Sequence, residues 1–148
     1  MDVPDAAYIQ TIAAPDKKHT FLECTLCHHN CHIPDSSCGF CGIRCNSAGK
    51  AELPYYGAIS ALAIDPIEKK PLYHFRPGTD IFSVGFYSCN FRCPFCQNWQ
   101  ISRVPDTSAP AFRKLSPEQL IQVAQDNGSK SIAFTYSEPL IHFEYVLA

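Results

Sequence analysis

The sequence predicts an α/β chain in which a parallel sheet begins near residue 80, behind a small cysteine-rich segment. Three observations predict it. From residue 80 onward, short apolar runs alternate with helix signals in the order β-α-β-α, the order of parallel strands joined by a right-handed crossover. Six of the nine cysteines fall within residues 21–50, where large aliphatic residues are few; such a segment cannot build a core alone and needs a staple. Pro54, Pro66, Pro71 and Pro77 punctuate residues 51–79, which limits that stretch to short strands or a hairpin.

Taken in order, residues 1–20 show no clear period and contain Pro4 and Pro15, and are read as a flexible arm. Residues 21–50 form a metal-binding-like segment, and residues 51–79 supply the short strands. Residues 80–148 carry the α/β pattern. Asp80–Gly85 reads as a short buried strand, followed by a cysteine loop and a helical turn over Gln97–Ser102. Residues 103–113 form a loop, by their proline and small polar content. Ser116 is placed to cap a helix, with Pro117 at its first position and Gln119 completing a capping box. Leu120, Ile121 and Ala124 give that helix an apolar stripe, and Gly128 suits its end. Ser131–Tyr136 is a second strand, and Glu138–Ala148 begins another helix. The chain stops inside that helix without a capping signal, and two parallel strands do not make a stable sheet. The expectation is therefore the N-terminal piece of a longer protein.

Composition narrows the function. A net charge of −2 gives no global field to attract nucleic acid or an anionic membrane. The longest apolar run, Tyr55 to Ile64, is about half of what a membrane span needs. The start, MDVPDAAYIQ, is acidic and lacks the apolar core of a secretion signal. The cysteine count is odd, and the spacings of two and three residues suit metals better than bridges. Together these point to a reducing cytoplasm.

Cys89-Asn-Phe-Arg-Cys93-Pro-Phe-Cys96 is C-x3-C-x2-C. Thiolates are the usual ligands of iron–sulfur clusters. A closed [4Fe–4S] site takes four cysteines, so three leave one iron without a protein ligand. An open position on a bound metal marks a catalytic site. The loop also follows the C-terminal end of the first strand, where parallel α/β folds place their active sites. A zinc site completed by a histidine or a distant cysteine is the competing reading, and inert buried thiols are another.

At these residues the chain resembles the radical S-adenosylmethionine (SAM) superfamily, whose hallmark is this loop with an aromatic residue before the last cysteine. The resemblance implies that Cys89, Cys93 and Cys96 hold the [4Fe–4S] cluster and that Phe95 lies against the adenine of SAM; simple packing beneath the loop is the plainer role for Phe95. Tyr136-Ser-Glu-Pro-Leu140 is similar to the superfamily's Gly-Gly-Glu-Pro segment. The resemblance gives Glu138 the role of accepting a hydrogen bond from SAM's amino group, against the plainer role of a first-turn helix acid. Tyr136 and Ser137 stand where that segment has its two glycines. CPFCQNW, DPIEKKPLYHF and AFTYSEPLIHFEY resemble the branch related to pyruvate formate-lyase activating enzymes, and most of all the radical SAM member of the AmmeMemoRadiSam system. The resemblance implies the first β-α-β portion of a partial (β/α)6 barrel and reductive cleavage of SAM to a 5′-deoxyadenosyl radical. It implies an electron donor such as flavodoxin or ferredoxin, and a protein or small-molecule substrate. A glycyl radical enzyme is one such target.

Cys24, Cys27, Cys31, Cys38, Cys41 and Cys45 repeat a C-x2-C-x3-C pattern. Four thiolates suffice for zinc or a second cluster, and the resemblance picks out Cys24, Cys27, Cys31 and Cys41, leaving Cys38 and Cys45 as additional. His28, His29 and His32 are potential substitutes, though solvated histidines are the plainer reading. Lys69 and Lys70 read as a solvated turn, and Arg92 as a surface salt bridge beside the loop. His74, Trp99 and His142 have no role beyond packing or surface. The rival function is a non-catalytic zinc or iron–sulfur module, stabilised by its metal; a milder one is electron transfer through a closed cluster.

Overall fold

The computed structural model describes residues 1–13, 20–104 and 113–148. Three small sheets follow one another along the chain. Strands β1 (Ile9–Ala13), β2 (Thr20–Cys24) and β3 (Cys31–Ile33) form an antiparallel sheet in that order, with Ile9 opposite Cys24 and Cys24 opposite Cys31. Leu22, Cys24 and Ile33 make its miniature core. Strands β4 (Ser37–Cys38), β5 (Cys45–Ser47) and β6 (Lys50–Glu52) form the second sheet, and a Cys38–Cys45 disulfide ties its first two strands. The segment with too few aliphatics is thus stapled covalently.

The third sheet holds β7 (Ile59–Pro66), β8 (Asp80–Phe86) and β9 (Ile132–Thr135). β8 runs antiparallel to β7 and parallel to β9. The crossover between the parallel strands contains helix α1 (Pro117–Asp126), where Ser116 and Gln119 form the expected reciprocal capping box. Side chains alternate across β8. Phe82, Val84 and Phe86 meet Leu120 and Ala124 of α1 in the main core, while Ser83 faces the other way, toward Asp65. After β9 a 3-10 turn, Pro139–His142, leads into helix α2 (Phe143–Leu147). Among the described residues no helix is long and apolar enough to cross a membrane.

Several expectations change here. The described residues form three separate three-stranded sheets, not a continuous barrel wall, and only β8-α1-β9 has the parallel arrangement. Of the flexible arm expected over residues 1–20, the described part, 1–13, is tied to the rest of the chain. Ile9–Ala13 is a strand in register with β2, and Ala7 donates its N–H to Glu144 at 2.7 Å. Ladder hydrogen bonds and a buried charge hold this segment, neither of which leaves an apolar period to read. Over Gln97–Ser102 the chain makes successive turns without a helix. Most of the loop expected over 103–113 lies outside the described residues.

Arg44 is 1% exposed. Its guanidinium donates to both carboxylate oxygens of Glu144, at 2.9 and 2.8 Å, and to the Ala7 carbonyl. Arg44 therefore locks the cysteine-rich segment to the chain's first residues and to α2.

His142 is also buried, its ring stacked 4.4 Å from that of Phe86 and its Nε2 donating to the Tyr87 carbonyl at 2.8 Å. Burial pushes its pKa from 6.5 down to about 4. The folded state keeps this ring neutral while the unfolded chain takes up a proton. Its stabilising contribution is thus complete above about pH 6.5 and is lost as pH falls toward about 4. Lowering pH from 7 to 5 is expected to cost about 2 kcal/mol through this group. Denaturant titrations at the two pH values check this, since His142→Gln should lose most of the difference.

Candidate functional site

The cysteine loop leaves the C-terminal end of β8, the central strand of its sheet. Ser88 turns the chain there, with φ at +75°, and its hydroxyl donates to the Cys41 carbonyl. Cys89, Cys93 and Cys96 follow as partly exposed free thiols. The loop winds in tight turns, Cys96 N–H to the Cys93 carbonyl and Trp99 N–H to the Cys96 carbonyl, both at 3.3 Å. The Cys89 sulfur accepts the Phe91 N–H at 3.4 Å, and the Cys96 sulfur lies 3.7 Å from the Ser102 hydroxyl. Phe95 is 86% exposed, so packing beneath the loop does not account for it.

The second part of the site stands at the end of β9. Tyr136 adopts φ +70°, the left-handed region that glycine enters freely and aromatic residues rarely do. This gives a physical sense to the tyrosine in a glycine's place: the backbone shape is the glycine's. Asn98, just past the cysteine loop, donates to the Tyr136 carbonyl at 3.1 Å, and Ser137 Oγ donates to the Phe86 carbonyl at 3.0 Å. The cysteine loop and the Glu138 segment are therefore joined. Glu138 caps the 3-10 turn, its carboxylate accepting the Leu140 N–H at 3.0 Å. The plainer role foreseen for it, an acid at a helix start, is thus filled in this structure.

The cysteine-rich segment docks on the loop from the other side. His29 Nε2 donates to the Asn90 carbonyl at 2.8 Å, and its ring stacks on Phe40 at 3.9 Å. Arg92 donates to the Phe40 carbonyl at 3.3 Å and lies 4.3 Å from that ring's centre. Two expectations are corrected here: His29 is not solvated, and Arg92 is engaged with Phe40 where a surface salt bridge was expected. Both contacts join parts 52 to 61 residues apart, a distance at which sequence spacing carries no signal.

Within that segment Cys24 pairs across the ladder with Cys31, whose sulfur accepts the Phe40 N–H at 3.3 Å. Cys24 and Cys41 are buried, and burial pushes the Cys41 thiol up. Cys38 and Cys45, the two read as additional, are the pair in the disulfide. Among the described residues no group of three or more His, Cys, Asp or Glu side chains is gathered for a metal ion. The donor chemistry of Cys89, Cys93 and Cys96 fits an iron–sulfur cluster, as three free thiols on one loop, the Cys89 sulfur already accepting a hydrogen bond.

Sequence reasoning missed Asp65. Lys69 and Lys70 do lie in a turn, and the Lys69 side chain is 67% exposed, but both ammonium groups reach the Asp65 carboxylate, at 2.9 and 3.0 Å. Ser83 Oγ donates to it at 2.8 Å and the Tyr136 hydroxyl at 3.3 Å. Hydrogen bonds from Lys69, then Lys70 and Ser83, hold this carboxyl well below the usual carboxylate range. The spacing of an acid followed four and five residues later by lysines was the available signal.

Residues 83–148 match the Radical SAM superfamily model. That stretch contains Cys89, Cys93, Phe95, Cys96 and Glu138, and the match supports a likeness to the superfamily. Two relatives come from Methanocaldococcus jannaschii. "Uncharacterized protein MJ0808" is 42% identical over 84% of this chain and 37% of its own length. "Uncharacterized protein MJ0674" is 28% identical over 88% of this chain and 35% of its own length. The chain thus spans a little over a third of each curated relative. No solved structure matches it.

Proposed function

We propose that this chain is part of a radical SAM enzyme in which Cys89, Cys93 and Cys96 hold a [4Fe–4S] cluster and leave one iron open to SAM. One observation carries the reading: a C-x3-C-x2-C loop at the C-terminal end of a strand that has a parallel neighbour, the end at which such sheets place their chemistry. When bound, the cluster and SAM supply reductive cleavage to a 5′-deoxyadenosyl radical that abstracts hydrogen from a substrate. The protein's own residues bind and orient. Exposed Phe95 offers an aromatic face to adenine. Glu138 offers a carboxylate to the amino group of SAM, for which it would exchange the Leu140 N–H. Asn98 keeps the two segments in register, and Arg92, fixed on Phe40, places a cation beside the ligands.

The finer parts of the reading follow the same resemblance. The strands β8 and β9 begin a partial (β/α)6 barrel, within the branch related to pyruvate formate-lyase activating enzymes and near the AmmeMemoRadiSam member. The enzyme is a cytoplasmic oxidoreductase that takes electrons from a flavodoxin or ferredoxin and acts on a protein or small molecule. A second soft-metal site, zinc or iron–sulfur, draws on Cys24, Cys27, Cys31 and Cys41. The alignment of Cys24 with Cys31 and the N–H bond to the Cys31 sulfur support it.

The test is anaerobic reconstitution with iron and sulfide, followed by electron paramagnetic resonance of the reduced protein with and without SAM. The expected result is a [4Fe–4S]⁺ signal that changes when SAM is added. A protein that takes up only zinc would move the reading to a non-catalytic metal module.

A further inference from the structure

We propose that Asp65 is a positioning residue for the turn that carries Glu138, acting through the hydroxyl of Tyr136. The inference rests on the radical SAM reading for what Glu138 binds, but not for how its turn is held.

The starting observation is backbone strain. Tyr136 holds φ +70°, a region costly for a bulky side chain unless its surroundings impose it. Here they do so at three points. The ring lies against Gly85, where a Cβ would stand 2.9 Å from Tyr136 Cδ2; no larger residue fits without moving the ring. The carbonyl accepts from Asn98 at 3.1 Å. The hydroxyl donates to Asp65 Oδ2 at 3.3 Å. Two residues on, Glu138 begins its turn, so the ring, the carbonyl and the hydroxyl of Tyr136 together set the direction in which that turn leaves the sheet.

Asp65 is suited to hold one of these points. It is 7% exposed and stands on β7, opposite Ile81. Every charged group facing it is a cation: Lys69 at 2.9 Å and Lys70 at 3.0 Å. Ser83 Oγ, fully buried on β8, completes the set at 2.8 Å. Lys70 also reaches over the Tyr136 ring, its Nζ 5.3 Å from the centroid, so the cation and its carboxylate clasp opposite parts of one phenol. If Asp65 served only to pin the lysine turn to β7, it would not need the tyrosine. The fourth partner, 71 residues away, is what links this carboxylate to the Glu138 segment.

The test uses Tyr136→Phe, which keeps ring and strain but removes the hydroxyl, and Asp65→Asn. Amide hydrogen exchange is followed in the metal-free protein over residues 135–142, with α1 as an internal reference. Both variants are expected to speed exchange in 135–142 by roughly fivefold, the size of one ordinary hydrogen bond, while α1 is unchanged. Unchanged exchange in 135–142 overturns the proposal, and so does a rise shared equally by α1, which would mark general destabilisation. In the cluster-loaded protein the SAM dissociation constant is expected to rise by a similar factor in Tyr136→Phe. Wild-type affinity in that variant overturns the link to Glu138. A wild-type protein that binds no SAM overturns the radical SAM reading instead, while the exchange result still decides whether Asp65 holds the turn.

Discussion

Replacing Cys93 with alanine is expected to abolish both the iron–sulfur cluster of the loop and all SAM cleavage. Cys93 is the middle thiol of the C-x3-C-x2-C sequence. With only three thiols on the loop, the loss of one leaves two, and the loop has no reserve ligand for a cluster. The thiol is partly exposed, so the substitution opens no core cavity and the fold should survive it. Iron and sulfide analysis after anaerobic reconstitution reads the first effect, and chromatography for 5′-deoxyadenosine reads the second. Cys38→Ser makes the useful contrast, because it opens the disulfide and leaves the three loop thiols in place; its loop should still take up iron. SAM cleavage by the Cys93→Ala protein would sink the assignment of this loop.

The largest effect on stability is expected from Arg44→Met. Arg44 and Glu144 are nearly sealed from solvent, with side chains 2% and 6% exposed. Removing the arginine leaves the Glu144 carboxylate buried without its cation, with backbone N–H groups such as that of Ala7 as its partners. Breaking a buried pair in this way costs about 3–5 kcal/mol. The pH dependence gives an independent sign. Burial alone would raise the Glu144 pKa, but the hydrogen bonds and charge of Arg44 outweigh it, and the net shift is downward from 4.5. In the native protein this contribution is present above about pH 4.5 and is lost as pH falls through the lower folded value. In Arg44→Met burial, the largest influence, is opposed only by backbone hydrogen bonds and raises the carboxyl relative to the native protein, so the deficit should shrink on acidification. Denaturant titrations at neutral and acidic pH read both effects. The double variant Arg44→Met with Glu144→Leu should recover much of the loss, since an apolar pair of similar volume often replaces a buried ion pair at little cost.

Local chemistry was legible in the sequence and distant pairing was not. The capping box of α1 could be read because Ser116, Pro117 and Gln119 are neighbours and their hydrogen bonds stay within one turn. Strands β8 and β9 could be read because their apolar runs are bounded by turn residues, and their parallel pairing followed from the helix between them. The cysteine loop was legible as a donor set, since ligand identity and spacing are sequence properties. β1 was missed because its burial alternates weakly over five residues and its partner strand comes later in the chain. Nothing local marks Arg44, because its partner Glu144 lies 100 residues further along the chain. Lys69 and Lys70 looked solvated because their acceptor, Asp65, is followed by Pro66-Ile67, which disguises the acid–lysine spacing as a break. Tyr136 was visible only as a departure from glycine; its compensation comes from Asp65, Gly85 and Asn98, on three different segments.

The bond between Arg44 and Glu144 closes over a separation of 100 residues, and that has a consequence for how the protein is born. A ribosome adding about 5–20 residues per second delivers Glu144 roughly 5–20 seconds after Arg44. Throughout that interval the guanidinium lacks its carboxylate and the Ala7 N–H lacks its Glu144 acceptor, and the cysteine-rich segment is held by its own short sheets and disulfide. The Arg44–Glu144 tie between the cysteine-rich segment and the sheet that carries the cysteine loop therefore forms only once α2 has been made.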